Sequence, residues 1–437
     1  MSDDEKNEAK PDHEPPAGAE TTAIWTGGDA PIDYTASAKW LVLRKKEKPA
    51  AEIFSVSYVA GDGDETRPVT FVFNGGPGAS SAFLHMGAVG PQRVDFPADG
   101  SLPEMPPRLV QNEASWLAFS DLVFVDPIGT GFSRVIEDEK PDDAKEKQKD
   151  EAADPKEYFG YKRDLESLCE FMGRWLSSHG RWGSPIFIAG ESYGGYRVGR
   201  LVRMLQESTG IGLNGAILIS PALEIALLSP TDYDVLGWID TLPTMAAASV
   251  HHGRSRAFAA GTALDEVLSE AEEFATGDYT SFLARGASMP AGDRDRILAR
   301  LADLLGLPLD LVVRAEGRIT IRTFSRELLR DERKVLGLYD ATITVTDPFP
   351  DRDSFAGPDP TLSGSNAAYT MAVNRQLRSE IGVETDREYM VLSYEVNTAW
   401  KIDTEQHAFT PPPGATDDFR YGMSLNPHMK AFITLGR

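Results

Sequence analysis

Apolar residues fall into two rhythms along this chain. Phe54, Val56 and Tyr58 alternate with smaller or polar neighbours, as in a half-buried strand. Short, nearly continuous apolar runs follow: Val69-Thr70-Phe71-Val72-Phe73, Asp121 to Asp126, Pro185-Ile186-Phe187-Ile188-Ala189, Ala216 to Ser220 and Lys430 to Leu435. Runs of this length, bounded by turn residues, predict buried strands. Between two of them the period becomes helical. Leu165, Leu168, Met172 and Leu176 form one stripe, and Val198, Leu201, Val202 and Leu205 form another within Tyr196 to Gln206. Strand and helix in alternation predict an α/β architecture: a mostly parallel sheet with helices on both faces.

The pattern also divides the chain. Residues 1–20 are polar and proline-bearing and predict a disordered tail. A core is expected over 21–224, with a charged, solvated loop from Glu137 to Lys156. Beyond Pro221 the character changes. Residues 225–385 read as an inserted helical cap, with stripes at Leu264, Val267, Leu268 and Ala271 and at Ile297, Leu298, Leu301 and Leu304. The core is expected to resume over 386–437. No internal repeat is visible.

Chemistry concentrates at two turns. Gly190-Glu191-Ser192-Tyr193-Gly194 follows one predicted strand and opens a predicted helix. That is the context of a nucleophile elbow, the strand-to-helix turn of an α/β-hydrolase fold, which lifts a serine hydroxyl out of the sheet. It places the N–H of Tyr193 at a helix start, where an oxyanion can bind. Asn74-Gly75-Gly76-Pro77-Gly78 follows the strand 69–73, where this fold draws its second oxyanion donor. Glycine there lets backbone N–H groups approach a substrate.

Three segments then carry a specific resemblance. Phe73 to Ser81 (FNGGPGASS), Asp126 to Ser133 (DPIGTGFS) and Gly190 to Gly195 (GESYGG) resemble signature segments of the serine carboxypeptidase family, in that family's order. Arg67 to Phe73, Leu84 to Gly87 and Asn426 to Lys430 resemble its bacterial branch. The resemblance implies Ser192 as nucleophile and Gly76 and Tyr193 as oxyanion donors. It implies Asn74, Gly75 and Glu191 as the groups that bind a substrate's terminal carboxylate, with Glu191 protonated. One position departs from the better-known eukaryotic members. Ala88, two residues before Gly90-Pro91, stands where they carry a second Glu. Arg197 is an alternative partner for the carboxylate, against a plain structural role.

The resemblance also implies an Asp just past the strand at 430–435 and a later His. Both positions fall beyond residue 437, so the reading is of a truncated chain, missing the last sheet strand or strands and a helix. Exposed apolar surface, and with it reduced stability or aggregation, would follow. The seven histidines offer poor substitutes. His428 precedes the last strand, at the wrong edge of the sheet. His85 and the pair Asp403/His407 are the remaining candidates. Loss of the base costs such an enzyme on the order of 10⁶ in kcat.

Composition narrows the partners. A net charge of −23 disfavours nucleic acid and anionic membranes, and no apolar run reaches membrane-spanning length. The lone Cys169 reads as a buried thiol and permits no disulfide within the chain, unlike secreted eukaryotic members of the family. With no secretory leader visible, a cytoplasmic location is expected, and secretion only if the start is misassigned. No metal or organic cofactor is expected. Three functions stay open: a serine-type carboxypeptidase acting on peptides with a free C-terminus, an inactive peptide-binding remnant, and an esterase or acyltransferase on the same scaffold. Oligomeric state is not legible.

Overall fold

A computed structural model describes residues 13–45, 48–61, 63–136, 155–228, 230–352, 357, 359–401 and 414–436. The chain divides into two compact units. Of the described residues, the first holds those within 13–95, 106–224 and 369–436, and the second those within 96–105 and 225–368.

The first unit is built on a nine-stranded sheet. Its strands are β1 (Ala19–Trp25), β2 (Ile32–Lys45), β3 (Lys48–Ala60), β4 (Val69–Phe73), β5 (Asp121–Asp126), β6 (Arg134–Val135), β7 (Ile186–Glu191), β8 (Gly215–Ile219) and β9 (Lys430–Thr434). The spatial order is β1-β2-β3-β5-β4-β7-β8-β9, with β6 beside β3. β1, β2 and β3 form an antiparallel meander, and β3 meets β5 antiparallel. From β5 onward the five strands are parallel. The sheet is thus mixed, and the strands that carry the chemistry are its parallel block.

Alternation along those strands sorts side chains to two faces. Val69, Phe71 and Phe73 join Val123, Val125, Ile186 and Ile188 in one buried cluster with α1 (Tyr161–Ser178) and α2 (Tyr193–Met204). Phe71 packs edge-on against Phe171 and Trp175 of α1. Cys169 lies buried in the same cluster, as expected. On the other face Phe124 stacks on His85, ring centroids 4.3 Å apart. This strand order, with an elbow between β7 and α2, is that of an α/β-hydrolase fold.

Two boundaries differ from those read in the sequence. The expected tail of residues 1–20 overlaps β1, which begins at Ala19 and pairs with Ala38. Its alternation is masked because it is an edge strand with mostly exposed or half-buried side chains. Residues 369–385, expected in the insertion, belong to the first unit. There the wide turn Gln376–Ile381 packs on β1 and β2 and buries Leu377. At the far edge, Phe432 and Ile433 of β9 are exposed.

The second unit has its own helical core. Ile297, Leu298, Leu301 and Leu304 are buried on the helix Ala291–Leu305, as their spacing predicts. On Leu264–Phe274 only Val267 and Ala271 of the predicted stripe are buried. Among the described residues, no helix is long and apolar enough to cross a membrane.

Candidate active site

Ser192 occupies the one-residue junction between β7 and α2, at φ 57° and ψ −120°. A non-glycine residue there costs about 1–3 kcal/mol and persists only where its surroundings enforce it. Three backbone hydrogen bonds do so. Ser192 N–H donates to Ile219 O at 3.0 Å, and Ser192 O accepts from Gly195 N–H at 2.9 Å and Ala222 N–H at 3.0 Å. Gly190 is required by closeness: a Cβ there would collide with the carbonyl of Gly194. The turn leaves Ser192 half-buried and puts Tyr193 at the first position of α2. A first-turn N–H has no partner within the helix and lies at the positive end of its dipole. The Tyr193 ring is anchored below, its hydroxyl accepting from Trp400 Nε1 at 3.0 Å.

The glycine loop after β4 packs directly on this elbow. A Cβ on Gly75 would sit 2.6 Å from Tyr193 N and 2.9 Å from both Glu191 O and Ser192 Cβ. Gly76 follows at φ 103°, in the left-handed half of backbone space where glycine is free. The loop is held from behind by a distant segment. Ser80 N–H donates to Val391 O at 3.0 Å, Ser393 N–H to Gly78 O at 2.8 Å, and Asn397 Nδ2 to Pro77 O at 2.9 Å. Met390, in the same segment, exchanges two backbone hydrogen bonds with Gly131, on the loop after β5.

Asp126, at the carboxyl end of β5, secures the loop's far end. Its Oδ1 accepts from Ser81 N–H at 2.9 Å and Ser81 Oγ–H at 2.8 Å. The carboxyl is fully buried. Burial pushes it up to about 6, with the two Ser81 donors pulling the other way. Sequence reasoning quoted Asp126 in a motif and gave it no role. Its signal was a carboxylate closing an otherwise apolar strand.

Asn74, Gly75 and Glu191 converge beside the serine. Asn74 Oδ1 accepts from Leu84 N–H at 2.9 Å, which turns the amide nitrogen toward Glu191 Oε2 at 3.1 Å. The Gly75 N–H lies near enough to the Glu191 carboxyl to favour its charged form. Burial raises the Glu191 carboxyl above its ordinary value, while these two donors lower it. The net rise means desolvation outweighs them.

Residues 38–237 match the serine carboxypeptidase family. Over that segment the chain is similar to that family. Among curated relatives, serine carboxypeptidase-like 13 of Arabidopsis thaliana is 27% identical over 199 residues, 45% of this chain and 41% of the relative. Serine carboxypeptidase-like 36 of the same plant is 33% identical over 162 residues, 36% and 29% of the two chains. The pheromone-processing carboxypeptidase kex1 of Sclerotinia sclerotiorum is 29% identical over 136 residues, 31% of this chain and 18% of that one. The matches thus span less than half of each relative's length. The elbow, the glycine loop and the Asp126 turn all lie inside the serine carboxypeptidase segment.

Other residues weighed from sequence fall elsewhere. Arg197 is fully buried against Asp164 and Asn74 O, which is a structural placement. His85 is buried, its Nε2 2.6 Å from Tyr58 Oη, and burial lowers it to about 3. It is therefore neutral at physiological pH, and its Nε2 is engaged with Tyr58 rather than with Ser192. His179 closes α1, stacked on Trp175 with Nδ1 2.9 Å from Trp175 O. His252 bonds Ala341 O and touches His251 within the second unit. His428 precedes β9, at the amino ends of the parallel strands. Asp403 and His407 lie outside the described residues. Among the described residues, no histidine is hydrogen-bonded to Ser192 Oγ, and no cluster of three or more His, Cys, Asp or Glu side chains could hold a metal.

Proposed function

We propose that this chain carries the nucleophile and recognition groups of a serine-type carboxypeptidase. The observation that supports this most is the convergence of Asn74 Nδ2, Gly75 N–H and the Glu191 carboxyl beside Ser192. Two N–H donors and a carboxyl that burial makes easier to protonate suit the terminal carboxylate of a peptide. That carboxylate would accept from Asn74 and Gly75 and from the O–H of protonated Glu191. The last peptide bond would then lie over the elbow. Ser192 Oγ would attack its carbonyl carbon and lose its proton to a base, and the N–H groups of Gly76 and Tyr193 would receive the oxyanion. Collapse would expel the C-terminal residue as an amine, protonated by that base, and water would release the acyl group from Ser192. The base is not among the groups described around Ser192. That favours, as a second reading, a chain that binds peptide C-termini without turnover.

One experiment separates the two. The 437-residue chain would be treated with a fluorophosphonate probe beside Ser192→Ala and heat-denatured controls. Rapid labelling lost in Ser192→Ala, with release of C-terminal amino acids from peptides, is the carboxypeptidase outcome. Folded protein that resists the probe, yet binds peptides with a free carboxylate, is the binding outcome. Labelling with hydrolysis of small esters alone would favour an esterase.

A further inference from the structure

Arg197 lies on α2, one turn beyond the elbow, and its side chain is 0% exposed. Each guanidinium nitrogen has an assigned partner. Nε donates to Asp164 Oδ2 at 2.7 Å, Nη2 to Asp164 Oδ1 at 3.3 Å, and Nη1 to the Asn74 carbonyl at 2.7 Å. The cation also rests over the Tyr193 ring, 5.1 Å from its centroid, and near Trp400 at 5.8 Å. Every one of these contacts lies within the first unit. All three nitrogens are engaged and the side chain is shut away from solvent, so Arg197 is not placed to bind a substrate carboxylate itself.

Its contact with Asn74 nonetheless reaches the carboxylate site. The Asn74 carbonyl and the Gly75 N–H belong to one peptide unit. That unit is trans, so the two groups point in opposite directions. A donor locked onto the carbonyl therefore fixes where the N–H aims, and Gly75 is packed against Glu191 and Ser192. A charged donor on the carbonyl also polarises the peptide and makes its N–H a stronger donor, in surroundings where little water screens the effect. Asp164 holds the guanidinium bidentately, and the planar fork tolerates no lysine equivalent.

From this we infer that Arg197, braced by Asp164, is a positioning residue for terminal-carboxylate recognition: it aims and polarises the Asn74–Gly75 peptide. It rests on the carboxypeptidase reading above. Its consequence is a preference for ligands ending in a free carboxylate over the same ligands ending in an amide.

The test uses the full chain with Ser192→Ala, so that binding is read without turnover. Calorimetry would compare one short apolar peptide as free acid and as C-terminal amide, before and after Arg197→Met, Arg197→Lys and Asp164→Asn. The parent should prefer the acid. Arg197→Met should cut that preference by about tenfold or more, through weaker binding of the acid with the amide unchanged. Arg197→Lys and Asp164→Asn should each lose part of it. A purely structural role would weaken acid and amide alike, and that result would overturn the inference. So would an undiminished preference in the folded variants, while leaving the carboxypeptidase reading intact. A parent with no preference overturns both. If Arg197→Met does not fold, as judged by near-ultraviolet circular dichroism, the two conservative variants decide on the same criteria.

Discussion

Asp126→Asn should make the first unit more stable relative to the parent at alkaline pH than at acid pH. The carboxyl is fully buried, and its folded value of about 6 stands above its ordinary 3.8. A raised value in the folded state means that folding binds the proton more tightly. The stability so gained is fully present below about pH 4 and is lost as pH rises through about 6. The whole loss is about 3 kcal/mol, from roughly two units at 1.36 kcal/mol each. Between about pH 5 and about pH 8 the share lost is about 1.4 kcal/mol, because by pH 5 the unfolded carboxyl is already ionised and the rest of the loss has occurred. Asparagine keeps the Oδ1 that accepts from Ser81 N–H and Oγ–H, and it does not titrate. Any fixed cost of the substitution cancels in the difference between the two pH values. Urea unfolding followed by tryptophan fluorescence is a suitable assay, since six of the seven tryptophans lie in the first unit and only Trp238 in the second. A parent–variant gap equal at both pH values, or one that moves against Asn at high pH, would refute the burial argument.

The remaining predictions concern the site itself. Glu191→Gln should flatten the pH dependence of peptide binding. In the parent, binding should fall as pH rises through the elevated Glu191 value, because the ionised carboxyl repels the ligand's own; a parent profile flat from acid to neutral pH would contradict this. By the same sign, the buried Glu191 contributes stability present below its unfolded value near 4.5 and lost as pH rises through the folded one. The Gln variant should therefore gain on the parent in thermal melts at neutral pH, and an equal gap at acid and neutral pH would count against it. Gly75→Ala should slow fluorophosphonate labelling of Ser192 by about 10²-fold, since its Cβ would meet the Tyr193 backbone N at 2.6 Å with no flexible side chain to yield. An unchanged labelling rate would show that the loop can move away at little cost.

What was legible from the sequence follows the range of the forces involved. The elbow could be read because its constraints are local: Gly190 avoids Gly194, four residues on, and the flanking strand and helix each show their own period. Asn74, Gly75 and Glu191 were named together through resemblance, and the structure brings them into contact. Arg197 was weighed as a carboxylate partner against a structural role, and its placement is the structural one. Its partner Asp164 lies 33 residues earlier on another helix, and no local pattern says which of two buried faces of α2 the guanidinium enters. The Met390–Asn397 segment was invisible for a different reason. It grips the glycine loop mostly through backbone N–H and C=O groups, which every residue but proline carries in full. The start of β1 was missed because an exposed edge strand need not alternate in hydrophobicity, only in direction.

That grip has a consequence for the order in which the protein becomes chemically competent. Ser192 leaves the ribosome about 200 residues ahead of the segment that holds its oxyanion loop in place, an interval of about 10–40 s at ordinary elongation rates. During that time β4, β5, β7 and the elbow can assemble, because they lie within one stretch of chain, while Pro77, Gly78 and Ser80 still lack the partners that fix them. The nucleophile is thus synthesised early and armed late. A half-made chain, surrounded in the cell by ester and amide bonds, would carry its serine in a cradle not yet closed.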